Sequence, residues 1–156
     1  MSVKKPVVAK KYRVNFTARA ANAFVSFFLR LGLKFGSTAL LTVKGRKTGI
    51  PRTNPVQIVY YERRRYLVAA YGQVNWVRNL RASHEAKLFH DRQSEVISVI
   101  EISPPEAAPI LKHSLSSYPS YTRSYFQAKP DSAIELFYKD VMHHPVFEIC
   151  EFGLKR

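Results

Sequence analysis

LLTVKGRKTGIPRTNP, residues 40–55, decides how this chain is read. An apolar, β-rich run, Thr38–Val43, enters a Gly-Arg-Lys-Thr-Gly turn. A second β-rich run leaves it after Pro51 and Arg52. Gly45 and Gly49 can take backbone angles that other residues avoid. Lys44, Arg46, Lys47 and Arg52 crowd cations around the turn, and Thr48 adds a hydroxyl. Backbone amides with cations beside them suit a phosphate or carboxylate. The spacing is not that of a Walker loop, and the turn joins strand to strand rather than strand to helix.

Charge follows the same half of the chain. The net charge is +14 over 156 residues. Residues 1–81 hold 17 of the 25 Lys and Arg and a single acid, Glu62, whereas residues 82–156 are slightly acidic. The first half therefore carries the affinity for an anion: a polyanionic small molecule, an anionic membrane or nucleic acid. Nucleic acid ranks last, because no zinc, RNP-like or helix-turn-helix pattern accompanies the charge.

The length fits one domain, and 46% hydrophobic residues argue against disorder. One cysteine, Cys150, fits a reducing, cytoplasmic compartment. No leader and no bilayer-spanning run of roughly 20 apolar residues is visible. The organisation expected is a basic N-terminal segment with an amphipathic helix, 1–37, leading into one barrel domain, 38–156.

The pattern predicts a helix over Asn15–Phe35, then strands at 38–44, 54–61, 66–71, 86–90, 95–102 and 146–152. Polar turns at 62–65 and 91–94 join two hairpins. Helices are expected after an Asn75 N-cap, from Pro104 to Ser116, and near Asp131–Val141. The first helix either packs its Phe-rich stripe on the core or rests as a basic amphipathic helix on a membrane surface. Hairpin-linked strands with few helices imply an α+β, predominantly β fold, an antiparallel barrel with flanking helices. His143-His144 lacks the spacing of a metal pair, so no metal site is expected.

Three segments, in order, resemble the deazaflavin-dependent nitroreductase and quinone reductase family. They are GRKTGIPR (Gly45–Arg52), AAYGQVNWVRNLRA (Ala69–Ala82) and YPSY (Tyr118–Tyr121) with Tyr125 beyond it. The resemblance implies a split β-barrel of the flavin mononucleotide-binding type, often dimeric. It implies coenzyme F420 as cofactor and hydride transfer to a quinone, nitroaromatic or similar electron-poor acceptor. By this likeness Lys47, Thr48 and Arg52 contact the phosphate, with Lys44, Arg46 and Gly49 beside them. Asn54 fixes the turn, while Ala70, Tyr71, Trp76 and Asn79 border the deazaflavin. Tyr118, Tyr121 and Tyr125 lie on the substrate side. Tyr71 and Gly72 stand where some relatives carry serine and lysine. The alternatives are a non-enzymatic binder of flavin, fatty acid or other lipid, and a flavin mononucleotide-dependent oxidoreductase.

Overall fold

The computed structural model describes residues 36–151, together with residues 19, 22, 23 and 25–27. Those early residues are helical; the rest of the helix expected over Asn15–Phe35, and the end of the last expected strand at Phe152, lie outside the described residues.

Six strands close an antiparallel barrel: β1 (Thr38–Lys44), β2 (Pro51–Tyr61), β3 (Arg64–Val68), β4 (Glu85–His90), β5 (Gln93–Glu101) and β6 (Val146–Glu151). Their order around the barrel is β1-β2-β3-β6-β5-β4, with β4 returning to β1. The expected split barrel is the observed fold.

Side-chain alternation sorts the strands into two cores. Ala39, Leu41 and Val43 of β1, Val56 and Ile58 of β2, Leu67 of β3, Ile97 and Val99 of β5, and Phe147 of β6 point into the barrel. Helix α1 (Asn75–Ser83) plugs one end of it, burying Trp76, Val77 and Leu80 against those residues. The outward-facing Val59, Tyr66, Val68 and Val146 form a second core under α2 (Pro104–Ser117) and α4 (Ile134–Val141). Toward the other end, the Arg65 guanidinium forks onto both carboxylate oxygens of Glu95, tying β3 to β5 across the intervening β6.

Five boundaries differ from expectation for local reasons, and one short helix is added. The hairpins at Glu62-Arg63 and Asp91-Arg92 are two-residue turns with positive φ at both positions, 46° and 63°, then 48° and 64°. Such turns match the natural twist of paired strands, so β3 and β5 each begin two residues early. β2 begins at Pro51 because the ladder with β1 runs from Lys44↔Pro51 onward. β3 stops at Val68, because Ala70 N–H returns to Val68 O and Gly72 N–H to Ala69 O. Val74, not Asn75, is the N-cap of α1, and a one-turn helix, α3 (Ser120–Arg123), interrupts the tyrosine-rich connection.

Leu80 is fully buried at the centre of the plug. Leu80→Ala should lower unfolding stability by about 2–5 kcal/mol in urea titration; a loss below about 1 kcal/mol would show that α1 is not a fixed part of the barrel core.

Candidate functional site

β2 has two different partners along its length. Pro51–Gln57 pair with β1, and Ile58–Tyr61 pair with β3. The edge of β2 opposite β1 therefore carries no ladder over its first seven residues, among the described residues. Pro51 and Pro55, which have no N–H to donate, are tolerated there. A cavity of ≈ 830 Å³ opens along this overhang. Its walls are the β1–β2 turn, the start of β2, and the chain from Tyr71 into α1. A fourth wall is the N-terminal helix, through Arg19, Asn22, Ala23 and Ser26.

The turn is built around its two glycines. Gly45 N–H donates to Ile50 O (2.9 Å), and Gly49 N–H donates to Gly45 O (2.8 Å). A Cβ on Gly45 would sit 2.9 Å from Ile50 O and 3.0 Å from Thr48 Oγ1, so only glycine fits. Gly49 has φ +70°, in the left-handed region. Asn79 then anchors the turn to the barrel plug. Its Oδ1 accepts from Arg46 N–H (3.2 Å) and from Arg46 Nη1 (2.9 Å), although Asn79 itself is only 5% exposed.

Arg19, Arg46, Lys47 and Arg52 all line the cavity, and no acid among the described residues does. Four cations and a threonine hydroxyl without an acid among the described lining residues suit an anion. Tyr71, Val74 and Trp76 line the cavity as well and give it an apolar, aromatic part. Trp76 also packs on Phe147 (ring centroids 6.2 Å apart), so it is both core residue and cavity wall.

The expected site residues divide accordingly. Arg46, Lys47, Thr48, Arg52, Asn54, Tyr71, Trp76 and Asn79 share the cavity. Lys44 and Gly49 sit at the turn outside its lining, and Ala70 packs on the second core. The three tyrosines expected on the substrate side gather around Tyr71 rather than lining the cavity itself. Tyr125 meets Tyr71 edge-to-face (5.2 Å, 85°), and the Tyr71 hydroxyl pairs with Thr122 Oγ1 at 3.3 Å. Burial pushes the Tyr71 phenol up, with the Thr122 hydroxyl opposing and Tyr121 and Tyr125 adding to the rise. Tyr121 is 66% exposed, whereas Tyr118 is 3% exposed and stacks on Phe126. Burial pushes the Tyr118 phenol up to about 12, and its hydroxyl lacks a well-placed partner.

The wall formed by Arg19, Asn22, Ala23 and Ser26 was not anticipated. Their spacing of three, one and three residues marks one helical face, a signal present in the sequence but overshadowed by the Phe-rich stripe.

The model of the F420H2-dependent quinone reductase family matches residues 17–139, most of the chain. The chain belongs to this family. No curated protein sequence matches it. Among solved structures, one described as a domain-swapped dimer is similar with a TM-score of 0.55 and 18% identity, covering 86% of this chain and 99% of that one. An F420-H2 dependent reductase is similar with a TM-score of 0.51 and 21% identity, over 73% of this chain and 94% of that one. A protein of unknown function from Agrobacterium tumefaciens gives 0.52 and 16%, over 97% of this chain and 60% of that one. At these identities the structures establish the shared fold. The family supplies the cofactor, coenzyme F420, and makes the chain an F420-dependent reductase.

The cavity fits that cofactor on its own chemistry. A deazaflavin with a phosphate and an oligoglutamate tail needs an aromatic slot joined to a cationic channel, and the lining supplies both. Asn79→Ala should free Arg46 from α1 and lower stability by about 1–2 kcal/mol; an unchanged urea midpoint would mean that the Arg46–Asn79 contact does not hold the turn.

Proposed function

We propose that the chain reduces a quinone, or a similarly electron-poor acceptor such as a nitroaromatic, with reduced coenzyme F420 as donor. The observation that carries this reading is a cavity lined, among the described residues, by four cations, the aromatic Tyr71 and Trp76, and no acid. Lys47, Thr48 and Arg52 hold the phosphate, with Arg46 oriented by Asn79. Arg19, on the facing helix, meets the anionic tail from the opposite wall. Tyr71, Val74 and Trp76 receive the ring. When bound, the deazaflavin supplies the hydride.

The chain's own part is binding, orientation and electrostatics. The turn fixes the cofactor by charge-assisted hydrogen bonds. Trp76 and Tyr71 exclude water from the ring face. Tyr121, the most accessible of the three tyrosines, donates a hydrogen bond to the acceptor oxygen, where negative charge develops during reduction. Hydride transfer to a quinone leaves an anion that needs one proton to complete its reduction; a phenol delivers that proton and is refilled from solvent. Tyr118 is buried and supports the segment by packing.

Homodimer formation and contact of the N-terminal helix with an anionic membrane belong to the same proposal, because an acceptor dissolved in lipid would reach the cavity beside that helix. No helix among the described residues is long and apolar enough to cross a membrane. Light scattering decides the first point, and co-sedimentation with anionic vesicles decides the second.

The double variant Lys47→Ala/Arg52→Ala should raise the dissociation constant for coenzyme F420 by roughly 10-fold or more in fluorescence titration. Unchanged affinity would put the tail elsewhere. Tyr121→Phe should slow menadione reduction more than it weakens cofactor binding, and equal effects on both would remove its acceptor-side role. A yellow protein with a flavin absorption spectrum would favour flavin mononucleotide as the occupant instead.

A further inference from the structure

His144 is buried between the two pieces of chain that carry the tyrosines. Its Nδ1 lies 3.0 Å from Ala69 O, at the end of β3, two residues before Tyr71. Its Nε2 lies 3.0 Å from Tyr125 O. The ring also stacks on Phe126, with centroids 4.0 Å apart and planes at 21°. The same turn of chain grips the next two residues. Asp140 Oδ1 accepts from Gln127 N–H (3.1 Å) and Oδ2 from Ala128 N–H (2.8 Å), while Asp140 O accepts from His144 N–H (2.8 Å).

We propose that His144 is a positioning residue: it clamps the 122–128 segment to the end of β3 and so holds Tyr125, Thr122 and Tyr121 in place around Tyr71. This role rests on the reading that acceptors bind beside these tyrosines. His144 itself touches neither acceptor nor cofactor. It acts through the Tyr71–Tyr125 edge contact and the Tyr71–Thr122 hydroxyl pair. Asp140 alone does not bridge the gap, because its contacts fall within the 126–128 stretch and its own turn, whereas His144 also reaches β3.

The clamp has a proton dependence whose sign follows from burial. A neutral imidazole carries one N–H and donates to one of the two carbonyl oxygens at a time. The titratable groups around it are Asp140 on α4, neighbouring His143, and Tyr125 and Tyr71 on the clamped pieces. Burial pushes the imidazole below its ordinary value, the Ala69 and Tyr125 carbonyls and Asp140 opposing and His143 assisting. The held state therefore takes up a proton less readily than a released, hydrated His144. Acid favours release, beginning as pH falls below the ordinary histidine value of roughly 6.5.

The test uses the full chain with His144→Phe, which keeps a ring on Phe126 but no donor, and His144→Gln, which keeps a donor that does not titrate. Three readouts are compared: coenzyme F420 affinity, kcat and KM for menadione, and amide-exchange protection of residues 122–128 without ligand between about pH 5 and 8. The clamp predicts that His144→Phe leaves cofactor affinity within about 2-fold. It predicts a menadione kcat/KM lower by roughly 10-fold and lost protection across 122–128. It also predicts that the wild-type chain loses that protection on the acid side and that His144→Gln does not. Undiminished protection and kcat/KM in His144→Phe would overturn it. So would an acid-side loss that persists in His144→Gln, which also decides the matter if the phenylalanine variant does not fold. If the wild-type chain binds no coenzyme F420, the functional reading fails, while the exchange measurements still decide the clamp.

Discussion

Strand β2 keeps β1 as its partner over Pro51–Gln57 and adopts β3 only from Ile58. That change of partner leaves a stretch of strand edge without a ladder, among the described residues, in an otherwise closed barrel. Unpaired edges invite association with other chains unless they are blunted. Here two prolines remove donors, and Arg52 adds charge. The overhang also leaves room for a ligand beside a barrel whose interior is filled with side chains. Turn, α1 and N-terminal helix all meet along this edge, so the position of every cavity residue follows from where β2 leaves β3.

Concentrating cations on this edge has an energetic consequence. Like charges brought together repel, and the lining contains no acid among the described residues to relieve them. The fold tolerates the arrangement because Lys47 and Arg52 are exposed and hydrated, and because the Arg46 guanidinium is held by a neutral amide, Asn79, rather than by a carboxylate. A carboxylate there would neutralise the site before any ligand arrived. An anion replaces repulsion with charge-assisted hydrogen bonds, so the chain should bind such a ligand most tightly at low ionic strength. The other cations follow different rules. Arg64, Arg65 and Arg81 pair with Glu148, Glu95 and Glu101 and tie the barrel together.

Much of this was legible in the sequence because its signals are local. Alternating apolar residues place Leu41, Val43, Ile58 and Leu67 inside the barrel, and the glycine spacing places the cationic turn between β1 and β2. Glu62-Arg63 and Asp91-Arg92 were harder, because neither pair contains the glycine or asparagine that usually marks a tight hairpin. The resemblance to the family led to the expectation that Tyr71 and Trp76 border the cofactor, and both line the cavity, whereas for Trp76 alone core packing is at least as natural a reading. It did not show which tyrosine is accessible. That depends on how residues 118–126 pack on α2 and α4, a matter of contacts distant in sequence. His144 is the clearest case. Its partners lie 75 and 19 residues away, and the adjacent His143 invites a metal reading instead. Asn79 was assigned to the ring, yet its carbonyl oxygen faces Arg46, a contact across 33 residues that no periodicity reveals.

In the proposed function the cationic cavity on the β2 overhang receives reduced coenzyme F420 and presents it to an electron-poor acceptor. Titration of the purified chain with the reduced cofactor, followed by addition of menadione, tests it most directly. The expected result is saturable binding that weakens with salt, and oxidation of the bound cofactor only when menadione is present. Absence of binding, with flavin mononucleotide or a lipid held in its place, would contradict it.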